Sequence, residues 1–208
     1  MPLPDLPARH PVPWITQYAT PSLIAAIAYQ GHPAADDPAW RESGGPDQQA
    51  YGRWCTRLCG MACLRMALTA RDGHAPTLFA LLGGCLDYGG YTEQPDGSVK
   101  GLLYRQFADF TRDRYRLHAD VITDLDPSRI TRECDQGRLV IASVHKEIRR
   151  PELDPPATGG HLVLITGHAN GHVTFHNPSG HTPQAGIATL PMATFDRFAA
   201  HRGIALHV

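Results

Sequence analysis

The residues best suited to chemistry are a cysteine, a histidine and an asparagine, in that order along the chain. The segment Cys59-Gly60-Met61-Ala62-Cys63 begins a predicted helix, His161 begins a predicted strand, and Asn177 ends the next strand. A helix N-terminus and a nearby imidazole both lower the pKa of a thiol, which attacks carbonyl groups as the thiolate. Backbone N–H groups beside Gly60 would stabilise the resulting oxyanion. This order of residue types predicts a nucleophile, a base and a residue that orients the base.

The loop between the two strands decides whether His161 and Asn177 can meet. A two-residue Asn170-Gly171 turn would place their side chains on opposite faces of the hairpin. A three-residue Ala169-Asn170-Gly171 loop would place Val163 opposite Asn177, with His161 as the diagonal neighbour on the same face. The triad therefore predicts the longer, bulged loop and is incompatible with the tight turn.

The elements that must position these residues follow an α+β pattern, with helices first and antiparallel strands later. Apolar spacing and turn residues predict helices over 22–29, 54–70, 76–86, 102–115, 127–136 and 191–201, and strands over 139–145, 161–168, 172–177 and 204–206. We expect a single domain over 1–208, with an extended proline-rich arm at 1–13, a surface loop at 31–50 and a loop at 146–160 before the histidine strand.

Composition narrows the class of protein. The 208 residues include 19 Lys and Arg against 20 Asp and Glu, so the formal net charge is −1. This balance gives no electrostatic basis for binding nucleic acid or anionic membranes. We expect no membrane segment, because no apolar run approaches the roughly 20 residues that a membrane helix needs. The absence of a signal-peptide pattern and the odd number of cysteines predict a soluble, cytoplasmic protein.

Four segments together resemble a known family. They are Val12-Pro-Trp-Ile-Thr-Gln17, Cys59-Gly-Met-Ala-Cys-Leu64, Gly159-Gly-His-Leu-Val-Leu-Ile-Thr-Gly167 and His176-Asn-Pro178. They are similar to the bacteriocin-processing, double-glycine leader cysteine peptidases and their stand-alone relatives. The resemblance implies a papain-like fold, in which an N-terminal helical part carries the cysteine helix and packs on a C-terminal antiparallel sheet carrying His and Asn.

The resemblance also implies a role for each matching residue. Cys59 would be the nucleophile, His161 the base, Asn177 the orienting residue and Gln17 the oxyanion donor. Gln17 lies far before Cys59 in the sequence, so residues 18–54 would be an insertion. Gln48 and Gln49 lie nearer to Cys59 and remain alternatives for the oxyanion role.

Other cysteines and histidines offer competing interpretations. Cys55, Cys59 and Cys63 are spaced four apart on one helical face, which is a poor geometry for tetrahedral zinc, so we expect no metal and no cofactor. A regulatory Cys55–Cys59 disulfide is an alternative, and Cys63 is expected in the core. His145 is a rival base, and His181 is a candidate for lining the cleft. The charged segment 146–150 is expected to be solvated, with a gating role as the alternative.

The predicted function is cysteine acyl chemistry. We expect a cysteine peptidase or amide-cleaving enzyme that forms a Cys59 thioester with a peptide or small amide substrate, in a setting such as peptide natural-product maturation. An acyltransferase or peptide ligase would use the same thioester with an amine acceptor. Two alternatives belong to other functional classes. They are a non-catalytic peptide-binding module of the same fold and a zinc-dependent hydrolase. The sequence specifies neither the substrate nor the oligomeric state.

Overall fold

The computed structural model describes residues 10–208. Its helices are α1 Ile24–Tyr29, α2 Gln48–Trp54, α3 Cys59–Asp72, α4 Leu78–Asp87, α5 Tyr104–Tyr115, α6 Pro127–Asp135, α7 Pro183–Gly186 and α8 Met192–Asp196. The side chains of Asp47, Thr77 and Asp126 accept hydrogen bonds from backbone N–H groups in the first turns of α2, α4 and α6, and such caps satisfy donors that a helix start leaves free. None of the helices within 10–208 has the length and apolar character needed to cross a bilayer.

A six-stranded antiparallel sheet forms the second half of the fold. The strands are β3 Ala119–Ile122, β4 Leu139–His145, β5 Gly160–Ala169, β6 His172–His176, β7 Ile187–Pro191 and β8 Ala199–Leu206, in the order β3-β8-β4-β5-β6-β7. A separate hairpin consists of β1 Tyr91–Glu93 and β2 Val99–Gly101. Strands β1, β2, β3 and β7 were not predicted, because they are short and partly exposed.

Strand β5 lies between two parts of the core. Leu162 and Leu164 pack with α3 in one cluster, whereas Val163 and Ile165 pack in a second cluster on the other face of the sheet. Alternate side chains of a strand point to opposite faces, so an apolar run such as this one is buried on both sides. The predicted α+β, papain-like architecture is confirmed, with the cysteine helix packed on the sheet that carries His and Asn.

The loop between β5 and β6 differs from the prediction. Ala169 pairs with His172 across a tight Asn170-Gly171 turn, whose residues have φ of 50° and 74°. The expected three-residue loop is therefore wrong. A β-bulge between Ile165 and Gly167 shifts the register instead, so Leu164 pairs with His176, as the triad required. An extra residue inside the strand has the same effect as an extra residue in the turn.

Three other segments differ from expectation. The helix predicted over 191–201 is wrong, since α8 ends at Asp196 and β8 begins at Ala199. The segment 31–50 contains two 3-10 turns and the first turn of α2, and it buries the Asp37 carboxylate against Thr20 and Tyr51. The segment 146–160 begins with a 3-10 turn that buries Arg149. Most of the predicted arm at 1–13 lies outside the described residues.

Candidate active site

Cys59 is the first residue of α3, and the packing of that helix determines its position. The helix is anchored because nine of its residues, from Gly60 to Ala70, are buried. A side chain on Gly60 would come within 2.9 Å of Leu102 and 3.2 Å of Leu162, so glycine allows the helix start to lie close to the sheet. The thiol is partly buried. Its removal from water raises the pKa of Cys59 to about 11, although the backbone N–H groups of Leu162 and Gly60 favour the thiolate.

His161 lies near the start of β5, after two glycines with positive φ, Gly159 and Gly160. Its ring is buried, and its Nε2 lies 2.8 Å from Oδ1 of Asn177. Burial lowers the pKa of His161 to about 4, against the opposing effect of the Asn177 hydrogen bond; the charge of Arg149 lowers it further. The ring is therefore neutral at physiological pH.

The surroundings of Asn177 define the tautomer of His161. The backbone N–H of Ser179 donates to Oδ1 of Asn177 at 3.0 Å, and Nε2 of His161 lies against the same oxygen. Because Oδ1 only accepts hydrogen bonds, Nε2 carries the ring proton and Nδ1 is left as the basic nitrogen. Trp14 donates from Nε1 to the Asn177 carbonyl at 2.8 Å, which secures the backbone at this position.

Ser179 contacts both His161 and Asn177, and it was not predicted as a site residue. Its hydroxyl lies 3.1 Å from Nε2 of His161 and 3.2 Å from Oδ1 of Asn177. The only sequence signal was its position two residues after Asn177, where a short polar residue commonly forms a local turn with an asparagine side chain.

Cys59 and His161 line the same pocket but are not hydrogen bonded to each other within residues 10–208. The pocket encloses about 500 Å³, and its other walls include Tyr91, Leu102 and Leu162. A catalytic hydrogen bond is often long or misaligned before substrate binds, so this geometry is compatible with a nucleophile and its base.

Gln17 lies against the 3-10 turn that precedes the cysteine helix. It is buried, its Nε2 donates to the carbonyl of Cys55 at 2.8 Å, and its backbone N–H donates to Pro178 at 2.9 Å. Together with His161 it lines a second, smaller pocket. Gln48 and Gln49 are exposed and line neither pocket, so Gln17 is the glutamine that the fold brings to the candidate site.

The remaining cysteines and histidines have other surroundings. All five cysteines are free, and burial raises the pKa of Cys55 to about 12. Cys63 lies in the core, as predicted. His145 accepts a hydrogen bond from the backbone of Glu147, and His181 packs edge-on against Tyr29.

One group among residues 10–208 has the composition of a metal site. The ligand atoms of His118, Asp120 and His207 lie within 4.8 Å of one another where β3 pairs with β8. The group is exposed or half-buried, and the Arg138 guanidinium lies 3.5 Å from the Asp120 carboxylate, where its charge opposes a bound cation. None of these residues lines the pocket of Cys59.

Comparison with known proteins identifies the family of this chain. A family model described as "Peptidase_C39 like family" matches residues 11–202. No curated protein matches the sequence. A solved structure described as "Crystal structure of a double glycine motif protease from AMS/PCAT transporter in complex with the leader peptide" is 18% identical, with a TM-score of 0.47, over 71% of this chain and 82% of that chain. Because the family model matches most of the chain, the protein belongs to the Peptidase C39-like family, and this membership supports cysteine peptidase activity in general.

Proposed function

We propose that Cys59, His161 and Asn177 form the catalytic triad of a cysteine peptidase that acts on a peptide or small amide through a Cys59 thioester. The observation that carries the proposal is the 2.8 Å contact between His161 Nε2 and Asn177 Oδ1, on the wall of the pocket that Cys59 lines. The contact directs the basic Nδ1 of His161 away from Asn177, and it makes His161 the histidine suited to accept the thiol proton.

The proposed reaction starts from the neutral pair. As Sγ of Cys59 attacks the carbonyl carbon, Nδ1 of His161 accepts the thiol proton, and it then returns this proton to the leaving amine as the C–N bond breaks. Water attacks the thioester, releases the carboxylic acid and restores the thiol. The N–H of Cys59 and the amide of Gln17 are the proposed oxyanion donors. Nε2 of Gln17 carries two N–H donors, of which one is bonded to the Cys55 carbonyl and the second would donate to the oxyanion.

Hydrolysis and acyl transfer share the same thioester, and they differ only in whether water or an amine captures it. We propose hydrolysis as the principal outcome, in the maturation of a peptide natural product. A cytoplasmic location is part of this proposal, because five free thiols suit a reducing compartment.

A stopped acylation experiment tests the triad without knowledge of the natural substrate. The protein is mixed with the p-nitrophenyl ester of N-acetylglycine, quenched in acid, and mapped by mass spectrometry. We expect a burst of p-nitrophenolate and an acyl group on Cys59. Replacement of the base in His161→Gln should slow this acylation by about 100-fold.

Cys134 supplies an internal control. Like Cys59 it is partly buried, and burial raises the pKa of its thiol to about 11, but it lies outside the candidate site. Acylation of Cys59 and Cys134 at equal rates, unchanged in His161→Gln, would mean that Cys59 is an ordinary thiol. The non-catalytic binding module would then be the better interpretation.

A further inference from the structure

Two pockets meet at His161, and their linings suggest which part of the substrate each would hold. Cys59 lines only the larger pocket, whereas His161 lines both. In the proposed reaction the acyl group stays on Cys59, so it belongs in the larger pocket. The leaving amine takes the proton from Nδ1 of His161, so it lies beside that ring and away from the acyl group. The smaller pocket, beside Gln17 and His161, is therefore the leaving-group side.

Arg149 makes the smaller pocket chemically distinct. The residue is 7% exposed and lines this pocket. Within residues 10–208 its guanidinium makes two hydrogen bonds, from Nε to the Lys146 carbonyl at 2.9 Å and from Nη2 to Glu147 at 3.5 Å. A guanidinium has five N–H donors, so most of them have no protein acceptor. The Tyr29 ring covers one face of the guanidinium, with the Arg149 Cζ 5.0 Å from the ring centroid. The donors without a protein acceptor are available to a ligand in the pocket.

The charges around Arg149 favour an anion. Glu147 is shared with Arg150, which donates to its carboxylate from Nε at 2.8 Å. Lys146 also lines the pocket, and none of its lining residues within 10–208 is acidic. The volume of about 270 Å³ is below the usual range for drug-sized ligands, which begins at about 300 Å³. The pocket therefore suits a small group rather than a long peptide.

We propose that this pocket binds a carboxylate of the leaving amine, with Arg149 as the residue that recognises it. The inference rests on the proposed function and adds a substrate class: the amide that is cleaved joins the acyl part to an amino acid or peptide whose carboxylate lies close to the scissile nitrogen. That carboxylate is either the α-carboxylate of a single released amino acid or the side chain of an acidic first residue. A carboxylate matches the guanidinium fork and can accept two parallel hydrogen bonds from it.

Aminolysis of the acyl-enzyme tests this pocket, because an incoming amine occupies the position that a leaving amine vacates. The acyl-enzyme formed from the p-nitrophenyl ester of N-acetylglycine is partitioned between water and glycine, glycinamide, aspartic acid α-amide or asparagine amide. We expect glycine to capture the acyl group at least tenfold better than glycinamide if the α-carboxylate is recognised, as a charge-assisted pair would produce. A preference for aspartic acid α-amide over asparagine amide would instead assign the side chain.

Two variants define what Arg149 contributes. Arg149→Gln should reduce the carboxylate preference to about onefold, and Arg149→Lys should retain part of it, because lysine keeps the charge without the fork. Arg132→Gln is the matched control: it removes an exposed cation that lines neither pocket and should leave the preference unchanged.

The outcomes separate the two proposals. A burst on Cys59 followed by equal capture, or no capture, of the charged and neutral amines would overturn the carboxylate pocket and leave the proposed function intact. A preference that survives in Arg149→Gln would also overturn it. Failure of Cys59 to acylate would instead overturn the proposed function itself.

Discussion

At the scale of single residues, the candidate site pairs a neutral thiol with a neutral imidazole. Burial raises the pKa of Cys59 to about 11 and lowers that of His161 to about 4. A neutral His161 is the form that can accept a proton, and this form is lost as the pH falls through its pKa. We therefore expect Cys59 acylation to stay constant from pH 8 to about pH 5.5 and to be half-maximal near the pKa of His161, well below the 6.5 of an ordinary histidine.

Substitution of Asn177 tests the same assignment. A carboxylate in Asn177→Asp would stabilise the imidazolium and raise the pKa of His161 by roughly 1–3 units. The acid limb of the acylation profile should move to higher pH by a similar amount, with the plateau largely retained. Asn177→Ala removes the acceptor that holds Nε2 and should lower the plateau by at least tenfold. The measurement is the burst rate against pH; an acid limb that is the same in Asn177→Asp and wild type would contradict the assignment.

At the scale of elements, the bulge at Thr166 brings His161 and Asn177 onto one face. Deletion of Thr166 would make the ladder regular and still leave Leu164 opposite His176, because Ile165 and Gly167 would then follow each other opposite Phe175 and Thr174. We expect the variant to retain Cys59 acylation, because His161 and Asn177 stay on the same face of the hairpin. Gly171→Ala is the control, because it strains the turn at φ 74° and costs about 1–2 kcal/mol without altering the register. Thermal melts would verify that both variants fold; a folded deletion variant that no longer acylates Cys59 would show that the bulge itself, rather than the pairing of Leu164 with His176, positions Asn177.

The same hairpin shows how much of the site could be predicted from sequence. The cysteine helix follows from its apolar spacing, and the two strands follow from their β-branched runs. The required register was also predicted, but it was attributed to a three-residue loop instead of a β-bulge. Gly167 directly follows Thr166, and an isolated glycine inside a strand pattern is a signal for a bulge that the prediction did not use. The Asn170-Gly171 signal for a tight turn was correct by itself. The turn residues predicted one register and the required facing of His161 and Asn177 predicted another, and the bulge reconciles them.

The burial of Arg149 could not be predicted from the sequence. Lys146-Glu-Ile-Arg-Arg150 has the composition of a solvated loop, and nothing in its pattern distinguishes Arg149 from Arg150. The 3-10 turn that follows β4 buries the first of these two arginines and leaves the second at the surface. Burial of a charge depends on where distant segments pack, which composition does not encode.

At the scale of the whole molecule, the fold buries the ionisable ring of His161. This burial makes the stability of the folded chain depend on pH. The pKa of His161 is lower in the folded chain than the ordinary value of 6.5, so the unfolded chain binds more protons between these values. The stability contributed by the neutral ring is present above pH 6.5 and is lost as the pH falls toward 4. Between pH 7.5 and 4.5 this loss amounts to about 2.5 kcal/mol.

Urea unfolding of wild type and His161→Gln at pH 7.5 and pH 4.5 measures the contribution of the neutral His161 ring, because glutamine does not titrate. The free energy of unfolding should fall by about 2.5 kcal/mol more in wild type than in the variant. His172→Gln is the matched control, since His172 is exposed beside the turn and its replacement should leave the wild-type pH dependence in place. If wild type and His161→Gln lose stability equally, burial does not keep His161 neutral. This result would contradict the proposed mechanism, which starts from a neutral base.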